Sequence, residues 1–462
     1  MAFLERAAGA IWNPWLLALF LLTGIWFSLR TGFFQLFGCR TWWRSTVGSL
    51  LGGKGRASGR GISQFQALST ALASTIGTGS IAGVATAIFY GGPGAVFWMW
   101  VSAFLGMMTG CAEKTLAVRY RERAPGGGWQ GGPMRYMDAG LGLKPLAVLF
   151  SLCCVLETLA GGNLVQANSI AVSLQASFGL DRLGVGLVIA LLTGGVILGG
   201  IGRIGKVSER LVPCMALLFL AGGGLVLICH IGALPGALAD IVTGAFTPKA
   251  AVGGYGMAAA LRYGVARGVF TNEAGLGTSA MAHAAADVDQ PAAQGMWGIF
   301  EVFTATLVVC TMTALVILTS GVYDQAAALA AIAAGAVEDS MLGAPLSAAA
   351  FSTVLGQWGG GFVAVCLLLF AFTSLLGACY YGEQALSYLT GSRRLVPAYR
   401  AAFLCAVVVG SVGDVSAMWL LVDLSNGLMA LPNLIALLLL SREAVGLINQ
   451  YQNRGSPKGS HP

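Results

Sequence analysis

Apolar runs of roughly twenty residues, separated by short polar segments, recur along nearly the whole chain. A hydrocarbon layer of ~30 Å needs a helix of about that length. The helix is required because lipid offers no partner to a free backbone N–H or C=O. The pattern predicts an all-α integral membrane protein with about eleven transmembrane helices. The first, an extra N-terminal helix, covers 11–29. Two sets of five follow: 63–90, 94–118, 147–175, 183–200 and 211–230, then 256–285, 296–320, 360–388, 399–415 and 418–440. An odd number of crossings per set gives the two sets opposite orientations, the arrangement of an inverted repeat. Within the second set, 321–358 carries Asp324, Glu338 and Asp339 and no basic residue, which predicts an external loop with short helices lying on the bundle. The polar tail from Gln450 to Pro462 predicts disorder. The chain thus divides into 1–62, 63–230, 231–445 and 446–462.

The first helix of each set is interrupted by glycine. One interruption reads Leu72-Ala-Ser-Thr-Ile-Gly77-Thr-Gly79-Ser80-Ile81, the other Gly268-Val-Phe270-Thr-Asn272-Glu273-Ala-Gly275-Leu-Gly277-Thr-Ser279. A break at membrane depth frees backbone groups where that is costliest, and it is tolerated where it lines a cavity or binds something. Breaks in corresponding positions of two halves point to the binding site of a secondary transporter.

Charge adds the sides. If the loop 30–62 faces the cytoplasm, most of the 26 Lys and Arg fall inside, in 30–60, 114–144, 203–210, 393–400 and after 441. The N-terminus then lies outside and the C-terminus inside. The net charge of +7 is spread over these short loops, so it reads as topology and argues against nucleic-acid binding. The stretch before residue 11 carries only Arg6 against Glu5, and Arg30-Thr-Gly-Phe-Phe follows the apolar run. Without a small-x-small cleavage site, this predicts a retained helix and no signal peptide. The ten cysteines sit mostly inside apolar runs without CxxC spacing, and His230, His283 and His461 are scattered. Buried small hydrophobes describe the cysteines best, and no metal or disulfide framework is indicated.

Candidate chemistry gathers at the breaks. The freed N–H groups of Gly77, Thr78, Gly79 and Ser80 lie at the N-terminus of a half-helix, which carries roughly +0.5 of a charge and suits a carboxylate. The freed carbonyls near Ala73 and Ile76 suit a cation; a packing notch is the alternative. At the second break, carbonyls can take an ammonium group and Phe270 can wall the pocket. Asn272 and Glu273 are polar at membrane depth, so they either cap the half-helices or handle ligand and proton. In Phe370-Ala-Phe-Thr373-Ser374-Leu-Leu-Gly377, two adjacent hydroxyls either bond back to their own helix or form a hard-oxygen cation site against the first break.

Several motifs now resemble one family. Gly91-Gly-Pro93-Gly-Ala-Val-Phe97-Trp98-Met-Trp100 and Ala112-Glu113-Lys-Thr-Leu-Ala-Val-Arg119-Tyr120-Arg121 are similar to the start and end of the second helix of the alanine or glycine:cation symporters. Phe65-Gln66-Ala67-Leu68, Asn272-Glu273-Ala-Gly275-Leu-Gly277, Phe300-Glu301-Val-Phe303 and Tyr380-Tyr381-Gly382-Glu383 resemble further family segments. The resemblance runs from about residue 10 to 445. It implies a leucine-transporter-like, five-plus-five inverted repeat with discontinuous helices 1 and 6. It also implies sodium-coupled import of a small neutral amino acid (alanine, glycine, serine or glutamine) across the bacterial inner membrane.

Carried over by position, the resemblance puts sodium on the carbonyls of Ala73, Ile76 and Phe370 and the hydroxyls of Thr373 and Ser374. It puts the amino-acid carboxylate on Gly77, Thr78 and Gly79 and the ammonium near Phe270 and Thr271, with Ser80, Asn272, Gly275, Ser374 and Ala378 completing the site. The family usually has Asn at the Ser80 position and Trp at the Ala378 position, so a wider pocket is expected here. No cofactor beyond the coupling ion is implied. Proton coupling through Glu157 and Glu273 is the alternative mechanism. An ion channel lacks a continuous polar pore, and an enzyme lacks HExxH, Ser–His or paired-carboxylate spacing.

Overall fold

The computed structural model describes residues 11–51, 61–124, 127–247, 256–414 and 416–455. The basic residues Arg6, Lys54, Arg56, Arg60 and Lys249, with His461 and the tail from 456, lie outside them.

Helices occupy the expected apolar runs. Helix α1 (Pro14–Arg30) starts at a proline that needs no N–H partner. Helix α2 (Gln64–Thr75) starts at a reciprocal cap: Gln66 N–H donates to Ser63 Oγ at 3.0 Å, and Ser63 N–H to Gln66 Oε1 at 3.1 Å. After a break, α3 (Ala82–Gly91) continues, and α4 (Gly94–Arg119) follows. A long helix, α5, runs from Lys144 to Phe178 with a π-helical stretch at Ala160–Val165. Helices α6 (Arg182–Ile197), α7 (Gly200–Cys229) and the short α8 (Leu234–Phe246) complete the first part.

Helix α9 (Met257–Asn272) ends in the second break, beyond which only the short α10 (Ala280–Ala284) forms. Helix α11 runs from Pro291 to Thr319 through a π-helical stretch at Phe303–Cys310. Short helices α12 (Gln325–Ala334) and α13 (Gly343–Leu355) precede α14 (Trp358–Thr390), α15 (Val396–Val412), α16 (Ser416–Leu439) and α17 (Ser441–Gly455). A two-stranded hairpin pairs Glu122 with Gln130 and Arg123 with Trp129 beyond α4.

Six helices are long and apolar enough to cross a membrane among the described residues. Their outward faces carry large apolar side chains such as Leu217, Leu225 and Ile228, each exposed, as a lipid-facing surface requires. Small residues let the inner helices touch. A Cβ added at Gly298 of α11 would lie 2.8 Å from the Gly110 carbonyl of α4.

Several expectations are corrected. The fifth run was expected from 211, but α7 starts at Gly200, so Arg203, Lys206 and Arg210 stand on a helix and not in a loop. The 3.6-residue pattern simply continues through them. Helix α8 fills a segment expected to be loop. Helix α17 reaches Gly455, because its polar stretch carries an apolar stripe with Ala444, Val445 and Ile448 buried. The second break falls at 273–279, a few residues later than expected, so Phe270 and Thr271 belong to the last turn of α9.

A candidate site at the two helix breaks

At the first break α2 stops at Thr75. Ile76 leaves the helical path at φ −87°, ψ 67°, Gly77 is extended, and Thr78–Ser80 forms one tight turn before α3. Ser80 N–H donates to the Gly77 carbonyl and Ile81 N–H to that of Thr78. The N–H groups of Gly77 and Gly79 gain no such partner among the described residues. Both glycines are needed for close approach. A Cβ at Gly77 would lie 2.6 Å from Ser374 Oγ, and one at Gly79 would lie 3.2 Å from the Phe270 ring.

Helix α14 brings Thr373 and Ser374 against this break. Ser374 Oγ lies 2.9 Å from the Ala73 carbonyl oxygen and 3.0 Å from that of Phe370. Thr373 Oγ1 lies 3.0 Å from the Phe370 carbonyl and 3.4 Å from that of Ala73. Four of the five expected sodium ligands therefore converge. The fifth, Ile76, caps the end of α2, where its carbonyl is left out of the helical ladder. All five oxygens are neutral and hard, which fits a monovalent cation without a carboxylate. The two hydroxyls bond back to α14 and also face the first break.

A cavity lies beside these oxygens. Gly77, Gly79, Phe270, Thr271, Ser374 and Ala378 line it, together with Glu157, Gly161, Gly162 and Gln166 of α5, and Tyr381 and Asn426. The Val269 carbonyl of the last turn of α9 accepts from Glu273 N–H, but those of Phe270 and Thr271 gain no backbone donor among the described residues and sit at the negative end of the helix dipole. Phe270 packs against Trp419 with ring centroids 6.2 Å apart, and the Arg267 guanidinium sits 5.8 Å from both rings.

Four expected contacts are not brought to this cavity. Thr78 and Ser80 are buried with unpaired hydroxyls, and the Ser80 carbonyl accepts from Thr313 of α11. Asn272 caps its own helix, its Oδ1 accepting from Ala274 N–H at 3.0 Å. Gly275 faces away. Its N–H donates to Glu113 and its carbonyl accepts from Asn433. The extra width expected from Ala378 is partly taken up by α5, since a Cβ at Gly162 would lie 2.5 Å from the Ala378 methyl.

Sequence reasoning missed Gln166 and Asn426. Gln166 Oε1 accepts from Thr78 N–H at 3.4 Å while its Nε2 donates to the Gly161 carbonyl at 3.2 Å, which ties α5 to the first break. Both are polar side chains inside apolar runs, and that alone marks a position for function. Glu273 joins the two breaks. At φ +53° it occupies the left-handed region, and its carboxylate accepts from Ser74 at 2.8 Å and from Thr278.

A second polar cluster lies behind the α9–α10 break. Lys114 sits 3.1 Å from Glu113 and 3.5 Å from Glu301, and His283 lies 3.0 Å from Glu301 and 2.7 Å from Gln294. Asn433 donates to Glu113 and accepts from Tyr136. Every one of these side chains is fully buried.

This is the architecture of a multi-pass helical transporter with two interrupted helices. The fold is shared with solved transporters of low sequence identity. One is a point mutant of the manganese transporter of Eremococcus coleocola, at TM-score 0.57 and 17% identity over 85% of this chain and 83% of that one. Another is MhsT in complex with L-phenylalanine, at TM-score 0.56 and 14% identity over 84% and 94%. The sequence is more specific. The chain belongs to the Sodium:alanine symporter family, whose family pattern matches residues 1–461. It is 42% identical to the "Sodium/alanine symporter AgcS" of Methanococcus maripaludis, over 93% of this chain and 92% of that one. It is 39% identical to the "Probable sodium/glutamine symporter GlnT" of Bacillus subtilis, over 98% and 90%. This is a transporter family and not an enzyme family.

Proposed function

We propose that the protein imports a small neutral amino acid by sodium-coupled symport through alternating access. The observation that carries this reading is the meeting of two sites at one break. The oxygens of Ala73, Phe370, Thr373 and Ser374 converge on one side, and the N–H groups of Gly77 and Gly79 open on the other. A sodium ion between α2 and α14 orders the break and thereby forms the carboxylate site. The amino-acid ammonium lies against the last-turn carbonyls of α9 near Phe270 and Thr271.

In this reading the two sets of five helices, 63–230 and 231–445, are the inverted halves. The protein sits in the bacterial inner membrane with its N-terminus outside and its C-terminus in the cytoplasm. A negative interior adds about 2.3 kcal/mol per charge per 100 mV to uptake.

Uptake of labelled alanine, glycine, serine and glutamine into proteoliposomes tests the reading. Accumulation that needs an inward sodium gradient is expected. Uptake driven by an imposed proton gradient without sodium would move coupling from Thr373 and Ser374 to Glu157 and Glu273.

A further inference from the structure

The cavity has a polar wall on α5 and α16, where Glu157, Gln166 and Asn426 line it. The π-helical stretch at Ala160–Val165 turns Gly161 and Gly162 toward the cavity, and such stretches in helices frequently mark functional sites. The Glu157 carboxyl folds over this bulge. A Cβ at Gly161 would lie 2.9 Å from Glu157 Oε1 and 3.0 Å from Val422 of α16. Asn426 stands one turn beyond Val422, on the same face of α16.

The hydrogen bonding of these groups is incomplete. Both oxygens of Glu273 are occupied, by Ser74 and Thr278, and the Gln166 side chain is engaged at both ends. The Glu157 carboxyl and the Asn426 amide line the same cavity, and neither forms a side-chain hydrogen bond among the described residues. One offers an acceptor in either protonation state; the other offers a donor and an acceptor. A methyl or isobutyl side chain would leave both groups unpaired when the cavity closes, and buried unpaired polar groups are costly. A carboxamide satisfies both.

We propose that Glu157 and Asn426 form a side-chain subsite for a carboxamide, Glu157 accepting from the amide N–H and Asn426 donating to the amide carbonyl. The preferred cargo is then a carboxamide amino acid. This rests on the main-chain site proposed above. A site built to hydrogen-bond a substrate group rejects the analogue that lacks it far more strongly than an apolar pocket rejects an added group.

The test is displacement of labelled alanine from purified full-length protein in sodium buffer by unlabelled asparagine, glutamine and leucine. Asparagine and leucine have nearly the same shape, so their ratio isolates the hydrogen bonds. The carboxamides are expected to displace alanine at a concentration at least about tenfold lower than leucine. In Glu157→Leu that advantage should fall below about threefold, with alanine still bound. Asn426→Leu should lower it in the same direction and serves if Glu157→Leu does not fold.

Leucine matching asparagine on the wild type overturns the subsite, as does an advantage that survives both substitutions. Binding of neither labelled alanine nor labelled glutamine in sodium overturns the main-chain reading instead.

Discussion

At the first break only 76–81 leave the α-helical path, and among the described residues no carboxylate bonds the backbone of 76–81; Glu273 reaches only the Ser74 hydroxyl at the end of α2. At the second break 273–279 leave it, and two carboxylates hold the loop. Glu273 ties it to Ser74 and Thr278, and Glu113, with Asn433, takes up the N–H and carbonyl of Gly275. The first break thus keeps N–H groups and carbonyls available beside neutral hydroxyls. The second spends most of its freed groups on internal bonds. In the proposed reading the first is the binding surface, and the second is a braced joint whose contribution to the cavity is the last turn of α9. Two glycine breaks that look equivalent in sequence differ in what their neighbours do to them.

The sharpest way to break this comparison is to remove the brace. Lys114 is the cation between Glu113 and Glu301, and all three are fully buried. Taking one partner from a buried ion pair costs about 3–5 kcal/mol because the remaining charge is left uncompensated. Lys114→Met should therefore abolish monodisperse protein in detergent or lower its melting temperature by many degrees. Lys114→Met combined with Glu113→Gln, which removes one of the stranded charges, should recover part of the loss. A melting curve unchanged by Lys114→Met would mean that the second break is not held by this cluster.

The opposite behaviour is expected at the first break. Ser374→Ala removes one neutral oxygen from the α2–α14 site and leaves no charge unpaired. Folding should be nearly unaffected, while the half-saturating sodium concentration for uptake should rise about tenfold, the equivalent of one lost hydrogen-bond-strength ligand. Gly77→Ala should act at the same place through sterics, since its new Cβ would press on Ser374 Oγ at 2.6 Å. If Ser374→Ala instead destabilised the fold with sodium dependence intact, the hydroxyl would be a helix-packing group and the contrast between the breaks would vanish.

What was legible in the chain follows the same division. The apolar runs and both interruptions could be read locally, because each depends on the period of one helix or on glycine at one position, whereas the pairing of Thr373 and Ser374 with Ala73 comes from the family resemblance. The bracing cluster could not. Glu113 and Lys114 are neighbours in sequence, but nothing in their spacing says that Glu301, His283 and Asn433 from three other segments meet them. The resemblance implies Asn272 and Gly275 at the site; Asn272 is used up by a local cap on Ala274, and Gly275 by tertiary bonds to Glu113 and Asn433. Gln166 and Asn426 carried a signal, polarity inside an apolar run, that glycine-centred reasoning passed over.

Glu273 offers the finest discrimination, because it touches both breaks and the expected effect is small. Its two oxygens accept from hydroxyls, and hydroxyls can rotate to accept as well as donate. Glu273→Gln keeps the shape and offers one acceptor and one donor to Ser74 and Thr278, so the bridge survives with one bond reversed. A stability loss of about 1 kcal/mol is expected, the difference between a charge-assisted and a neutral hydrogen bond. Uptake should keep its sodium dependence and change less than about threefold. A proton carrier at this position would behave differently: the substitution would abolish proton-driven uptake outright, because an amide cannot load and release a proton. Measuring Glu273→Gln under a sodium gradient and, separately, under a proton gradient therefore decides whether the carboxylate that joins the two breaks is a brace or a working part of coupling.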